Sequence, residues 1–326
     1  MGNGEYKVSV LCMAYHHEAY IRQALDGFVG QKTAFAYEVL VNDDASRDKT
    51  PDIIREYAEK YPGIVRPFCQ EKNLMSQGVD IITDVLIPAA GGEYLALCEG
   101  DDYWCDEEKL QRQVDFLDAH PEYSACVHNS LSLTVGSSAP AAPLFPAGED
   151  RDIPFDLVVR GMSHAFHTSS ILVRRSFLEN LPDFYRIAVA HGFGDYPMGL
   201  WFCLNGKVRF LDRCMSVYRI CSNPSSWSSG VDGQYDKFKR FVTGEREMLL
   251  ALKAHVPAAQ QPAVDEEILL REYELLEIEG RSAEQRRPPY DRIYRTKDFS
   301  YKLKHFIKRS LPFLHSLYRK KRGYGD

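Results

Sequence analysis

The chain has 326 residues, of which 44% are hydrophobic and 26% charged, and its formal net charge is −6. That length suits one large domain or two of ordinary size, and the composition excludes wholesale disorder. No window reaches 18 consecutive apolar residues, which excludes a transmembrane helix.

Taken in chain order, the first 120 residues alternate strand and helix patterns. Residues 7–14 (KVSVLCMA) read as a strand and 18–29 as a helix. Residues 37–42 (YEVLVN) form a second strand, and a helix follows over 51–61, opened by Thr50 and Pro51 as cap and first helical residue. A third strand is predicted at 64–69, a helix at 77–87, a fourth strand at 94–98 and an amphipathic helix at 106–119. Nearly continuous apolar strands alternating with helices imply an α/β fold with a parallel sheet covered on both faces. Beyond it, 123–134 reads as a strand, 136–150 as a proline-rich loop, 169–173 as a strand and 194–204 as a helix. Residues 208–220 read as two short strands joined near Asp212 and Arg213, followed by a serine-rich loop over 221–230. From 235 to about 280 the pattern is helical, with a break around 257–262.

Charge is unevenly spread. Residues 281–322 carry fourteen Lys and Arg against three acids, so the body is acidic and the tail basic. Apolar residues recur in the tail at roughly helical spacing (Phe299, Leu303, Phe306, Ile307, Leu311), interrupted by Pro312. A basic amphipathic helix suits an anionic membrane surface, here through 297–322, or a helix packed on the acidic body. No nucleic-acid module accompanies it. The eight cysteines, at 12, 69, 98, 105, 126, 203, 214 and 221, include no CxxC pair, and the N-terminus lacks the zones of a signal peptide. Both features suit a reducing cytoplasm, with the tail placing the protein peripherally at the inner face of the plasma membrane.

In open α/β sheets, ligands bind at the carboxyl ends of the strands. Two acidic clusters fall there: Asp43 and Asp44 in VNDDAS, and Glu99, Asp101 and Asp102 in LCEGDDYW. No GxGxxG or GxxxxGK[ST] loop is present to hold a phosphate. A hard divalent cation, Mn²⁺ or Mg²⁺, held by one or two carboxylates plus substrate phosphates, would serve instead. His16, His17, His164, His167 and His191 match no standard zinc spacing.

The succession VSVLCMAY, EVLVNDDASRDKT, GEYLALCEGDDYW and GDYPMGLWFCLNGKVRFLDRCMSVYRI resembles the family 2 glycosyltransferases over about residues 7–230. The resemblance implies a GT-A fold, Rossmann-like, with a mostly parallel sheet flanked by helices. It implies a glycosyltransferase domain over 1–230, with a nucleotide-binding half to about 120 and an acceptor half from 121. A helical extension over 231–280 and the tail over 281–326 follow it. Carried over residue by residue, Tyr15 would line the base pocket, and Asp44 with Asp43 would hydrogen-bond the base or ribose. Gln77 would approach the nucleotide. Glu99, Gly100 and Asp101 occupy the DxD positions, here ExD. Asp101 would bind the metal bridging the donor diphosphate, and Glu99 the ribose or the metal's waters. Asp195 matches the acceptor-side base. Asp102, Tyr103 and Trp104 would face the acceptor or sugar, the two aromatics either stacking on sugar or packing the loop, and Trp227 would fold over the bound donor. No QxxRW follows Asp195, which disfavours a processive synthase.

The implied reaction is inverting transfer of a sugar from a nucleoside-diphosphate donor, a UDP-sugar, to a hydroxyl of a glycan or lipid-linked acceptor in bacterial surface polysaccharide or glycolipid synthesis. Its rivals are a non-catalytic nucleotide-sugar or partner-binding domain, and a sugar-nucleotide pyrophosphorylase. The latter needs a glycine- and lysine-rich loop that LCMAYHHEAY lacks. A phosphoreceiver domain would use Asp43 and Asp44 but leaves EGDDYW without a role.

Overall fold

Strands β1 (Val8–Ala14), β2 (Tyr37–Asp43), β3 (Val65–Cys69) and β4 (Tyr94–Leu97) lie parallel in one sheet. This computed structural model describes residues 6–139, 141–220 and 235–298. The chain forms two compact units, Met1–Ser229 and Gly230–Asp326.

In the first unit the sheet continues through β5 (Tyr103–Trp104), β6 (Tyr123–Thr134), β9 (Leu172–Arg174) and β10 (Lys207–Ile220). Its order is β3-β2-β1-β4-β9-β6-β10-β5, and the two-residue strands β7 (Ala142–Pro143) and β8 (Arg151–Asp152) are added at β6 and β10. β9 runs antiparallel to both β4 and β6, while β6 and β10 run parallel, so the sheet is mixed with a parallel majority. Helices α1 (Ile21–Val29), α2 (Thr50–Lys60) and α4 (Lys109–Ala119) bury Ile21, Leu25, Phe28, Ile54, Leu110 and Val114 against β1 and β2 residues such as Val10 and Val39. Both faces of β1 and β2 are covered, which is why their sequences are apolar apart from Ser9, Glu38 and the strand-end Asn42 and Asp43.

Two predicted elements take another form. The helix expected at 77–87 is a 3₁₀ turn at Met75–Gln77, then a wide π-type helix at Ile81–Leu86 that passes into a short α-helical turn, α3 (Ile87–Ala89). Gly78, at φ 82°, stops the first turn, and Asp80 restarts the chain by accepting the Ile82 amide at 3.2 Å. The two short strands expected over 208–220 are one strand, because both halves pair with β6 in the same parallel sense. Asp212 and Arg213 lie in a register irregularity between Leu211 and Cys214, not in a turn.

A lysine in the core is the least expected feature of this unit. Lys109 is fully buried at the start of α4, with Nζ 4.0 Å from the Trp104 ring centroid and no hydrogen-bond partner. Burial pushes its ammonium down to about 7. Below that value the folded state carries a buried charge, whereas the unfolded chain keeps its proton up to an ordinary lysine pKa. Stability therefore rises with pH between these limits, by at most about 1.4 kcal/mol per pH unit from this group. Lys109→Met should be more stable than wild type at pH 6.5, and urea melts at pH 6.5 and 9 should show the gap narrowing.

In the second unit, the helices Tyr235–Leu252 and Gln261–Ile278 are separated by the proline-containing stretch where the break was expected. Arg271 joins them, with ion pairs to Glu245 at 3.0 Å and to Glu274 at 2.8 Å. No described helix is long and apolar enough to cross a membrane.

Candidate active site

Parallel register brings the carboxyl ends of β1, β2 and β4 together. Ala14 pairs with Asp43, and Leu11 with Leu97. The chain leaving these strands is stitched by backbone bonds, Asp44 N to Ala14 O at 3.0 Å and Gly100 N to Met13 O at 2.8 Å. Both acidic clusters therefore share one edge of the sheet.

Glu99 is half-buried, and among the described residues no donor bonds its carboxylate. Desolvation, Asp101 and Asp195 push its carboxyl up to about 8. Asp195, 96 residues further on, is thus the smaller of the two charges that oppose ionisation of Glu99. Asp101 is nearly buried, and its Oδ2 lies 3.8 Å from His17 Nε2. Asp102 points inward. Its Oδ1 accepts the Arg219 amide at 2.9 Å, and its buried Oδ2 is 3.7 Å from His167 Nδ1. The Arg219 guanidinium binds the Asp101 carbonyl and Gln23, and lies over the Tyr20 and Tyr103 rings. β10 thereby fastens the acidic loop from behind. Trp104 belongs to the core: it is 3% exposed, donates Nε1–H to Ser169 O at 3.0 Å and packs edge-on against Phe28. Of the two roles open to it, it takes the packing one, while Tyr103 stays half-buried under Arg219.

At the end of β2 the two aspartates have different partners. Asp44 accepts the Leu74 amide at 2.6 Å and the Met75 amide at 3.2 Å, so both its oxygens anchor the following turn. Asp43 accepts the Ser46 amide with Oδ2 and keeps a buried Oδ1 without a partner. Its carboxyl is raised, chiefly by desolvation. Asp43 thus keeps one oxygen without a partner, whereas both oxygens of Asp44 are taken by backbone amides. Asp44→Ala should leave two amides short of their acceptor and cost about 1–3 kcal/mol in a urea melt. Tyr15 is exposed at the rim, edge-on to His16. Gln77 is exposed, its amide bonded to Asn73 O at 3.0 Å.

Asp195 opens α7 (Asp195–Asn205) as its first helical residue, and Gly194, without a capping side chain, is the N-cap. Asp195 Oδ1 accepts the Tyr196 amide at 2.8 Å, and burial raises its carboxyl despite that bond and one from Thr168. His17 and His167, which match no metal spacing, both lie beside the acidic loop, and only their tertiary neighbours reveal this. Trp227 and residues 299–326 of the tail lie outside the described residues.

The sequence pattern described as glycosyl transferase family 2 matches residues 9–178, more than half of the chain. The chain belongs to glycosyltransferase family 2. Among similar proteins, an uncharacterized protein of Mycobacterium tuberculosis is 38% identical over 212 residues, or 65% of this chain. The match spans 58% of that relative's length. A poly(ribitol-phosphate) beta-glucosyltransferase of Bacillus spizizenii is 32% identical over 34% of this chain and 17% of its own. Among solved structures, S. aureus TarS 1-349 in complex with UDP-GlcNAc has a TM-score of 0.55 at 17% identity, covering 83% of this chain and 81% of that one. The mannosyltransferase PcManGT from Pyrobaculum calidifontis, in complex with GDP-Man and Mn²⁺, has a TM-score of 0.52 at 16% identity, covering 93% and 84%. The fold of this family 2 glycosyltransferase is GT-A, a mostly parallel sheet flanked by helices, with a helical C-terminal region.

Proposed function

We propose that the protein is an inverting glycosyltransferase that moves a sugar from a nucleoside-diphosphate donor to an acceptor hydroxyl with the help of Mn²⁺ or Mg²⁺. The observation that supports this reading is the meeting of Glu99, Asp101 and Asp195, where burial first, and then the two aspartates, raise the Glu99 carboxyl to about 8. One edge of the sheet would then carry a pair of carboxyl groups for the donor's cation and a separate carboxylate for the acceptor.

The residues fit a hard cation. Among the described residues no three or more His, Cys, Asp or Glu side chains form a complete cage. The carboxyl oxygens of Asp101 and Glu99 are the hard donors such a cation takes, with the remaining positions left to the donor's phosphates. Asp101 would hold it, with Glu99 through water or on the ribose. When bound, the cation offsets the negative charge that builds on the departing diphosphate. Tyr15 and Asp43 would face the nucleoside, and Arg219 keeps the acidic loop in place from the buried side. Asp195 Oδ2, the oxygen the Tyr196 amide leaves open, would take the proton of the attacking hydroxyl. Burial makes this carboxylate a stronger base than one in water. One base on the face opposite the leaving group gives direct displacement and inversion.

The B. spizizenii relative is a poly(ribitol-phosphate) glucosyltransferase by name, which supports a surface-polymer acceptor for this chain as well. TarS and PcManGT are bound to UDP-GlcNAc and GDP-Man, which supports a nucleotide-sugar donor, and UDP is the first base to try. The domain division at about residue 230 and attachment to anionic membrane through 297–322 belong to the same proposal. A panel of nucleotide sugars screened by thermal shift with Mn²⁺ tests it. A donor present at 100 times its Kd should stabilise the fold by about 2.7 kcal/mol. A panel without any stabilising donor, with or without cation, would reject the reading.

A further inference from the structure

His17 links the two acidic loops. Its backbone amide donates to Thr50 Oγ1 at 2.9 Å, and Thr50 is fully buried at the start of α2. On either side, His16 N donates to Ser46 Oγ at 2.8 Å and Glu18 N to Asp48 Oδ2 at 3.1 Å. The 15–18 loop is thus pinned to the loop that follows Asp43 and Asp44. The His17 ring leaves that anchorage and lies under the other loop. A Cβ on Gly100 would fall 2.8 Å from Ile21 Cδ1, 2.9 Å from His17 Nδ1 and 3.1 Å from Ala14 Cβ, so the imidazole is one of three side chains that fill the space beneath the middle residue of the ExD. Nδ1 is buried without a partner, whereas Nε2 faces Asp101 Oδ2 at 3.8 Å. With no acceptor at Nδ1, the ring proton is better placed on Nε2, directed at the carboxylate. The separation is about 1 Å longer than a charge-assisted hydrogen bond, and such bonds in unliganded enzymes commonly tighten on binding.

We propose that His17 is the positioning residue of Asp101: its Nε2–H orients the carboxylate toward the cation, and its backbone ties that orientation to the nucleoside side of the cleft. This rests on the reading of Asp101 as the cation ligand. His17 touches neither donor nor acceptor and acts through Asp101.

Two substitutions separate orientation from packing. His17→Phe keeps a ring beneath Gly100 but loses the donor, and His17→Gln carries an amide N–H near the position of Nε2. The probe is the nucleoside diphosphate, UDP or GDP, that stabilises the wild type, titrated calorimetrically with and without Mn²⁺. For His17→Phe the gain in affinity given by Mn²⁺ should shrink by about tenfold, as expected for a hydrogen bond to a charged group, while the cation-free affinity stays at the wild-type value. His17→Gln should recover most of the gain. A full Mn²⁺ gain in His17→Phe would overturn the proposal and leave the cation reading standing. Equal losses in both variants, with no rescue by the Gln amide, would deny that the Nε2–H is what orients Asp101 and would also overturn the proposal. A wild type with no Mn²⁺ gain would remove the cation reading and the role of His17 together.

Discussion

Asp195→Asn is expected to fold and bind donor normally while its turnover falls by about 10²–10⁴-fold, the usual consequence of losing a general base. A local structural role predicts something much smaller. Asp195 is the first residue of α7, not its N-cap, and the Tyr196 amide that its Oδ1 accepts at 2.8 Å can be accepted equally well by an asparagine oxygen. Loss of a charge in the first turn of a helix costs only about 0.3–1 kcal/mol. Parallel measurement of nucleoside-diphosphate release and donor affinity therefore separates the two accounts. Removing this charge also takes away the smallest of the three causes that raise the Glu99 carboxyl, so that group should fall only part of the way from about 8, with burial and Asp101 still acting. A variant that transfers sugar at close to the wild-type rate would deny Asp195 the base role. The search would then move to Glu99, because Asp102 is buried and committed to the Arg219 amide.

The second large effect is expected at Asp101. Excess chelator should abolish transfer, and Asp101→Asn should lower kcat/KM by about 10³-fold or more, corresponding to the several kcal/mol a cation supplies to a departing diphosphate. The backbone of the loop should survive the change, since Arg219 grips the Asp101 carbonyl and not its carboxylate. Donor affinity measured with Mn²⁺ should fall as well, because two anions, the carboxylate rim and the diphosphate, meet without the charge that reconciles them. Melting behaviour close to wild type, together with this double loss, identifies a ligand residue and not a structural one. Full activity in excess chelator would sink the cation-dependent mechanism.

The alternation of apolar strands and helices, the placing of both acidic clusters at strand ends and the family resemblance were all legible in the sequence. The strand positions follow from local pattern, because β1 and β2 are buried on both faces and are apolar apart from Ser9, Glu38, Asn42 and Asp43. The interruption of the 77–87 helix was less legible, since its apolar content suits either form and a left-handed Gly78 with the Asp80 restart decides between them. The single strand β10 was misread for a related reason. Asp212 and Arg213 look like turn residues, and only pairing of both halves with β6 shows that the chain continues.

What the sequence determined by itself is therefore the set of elements and the list of carboxylates that emerge from them. Tertiary structure decided what each group does. It gave both Asp44 oxygens to backbone amides and left one on Asp43, sent Trp104 into the core beneath Lys109, and set the imidazole of His17 under Gly100 beside Asp101. It also brought Asp195 to Glu99 across 96 residues of chain. The physical reason is that strand and helix signals are periodicities read within a few residues. Desolvation, hydrogen-bond partners and opposing charges come from whatever the fold places alongside, and for these residues that is chain distant in sequence.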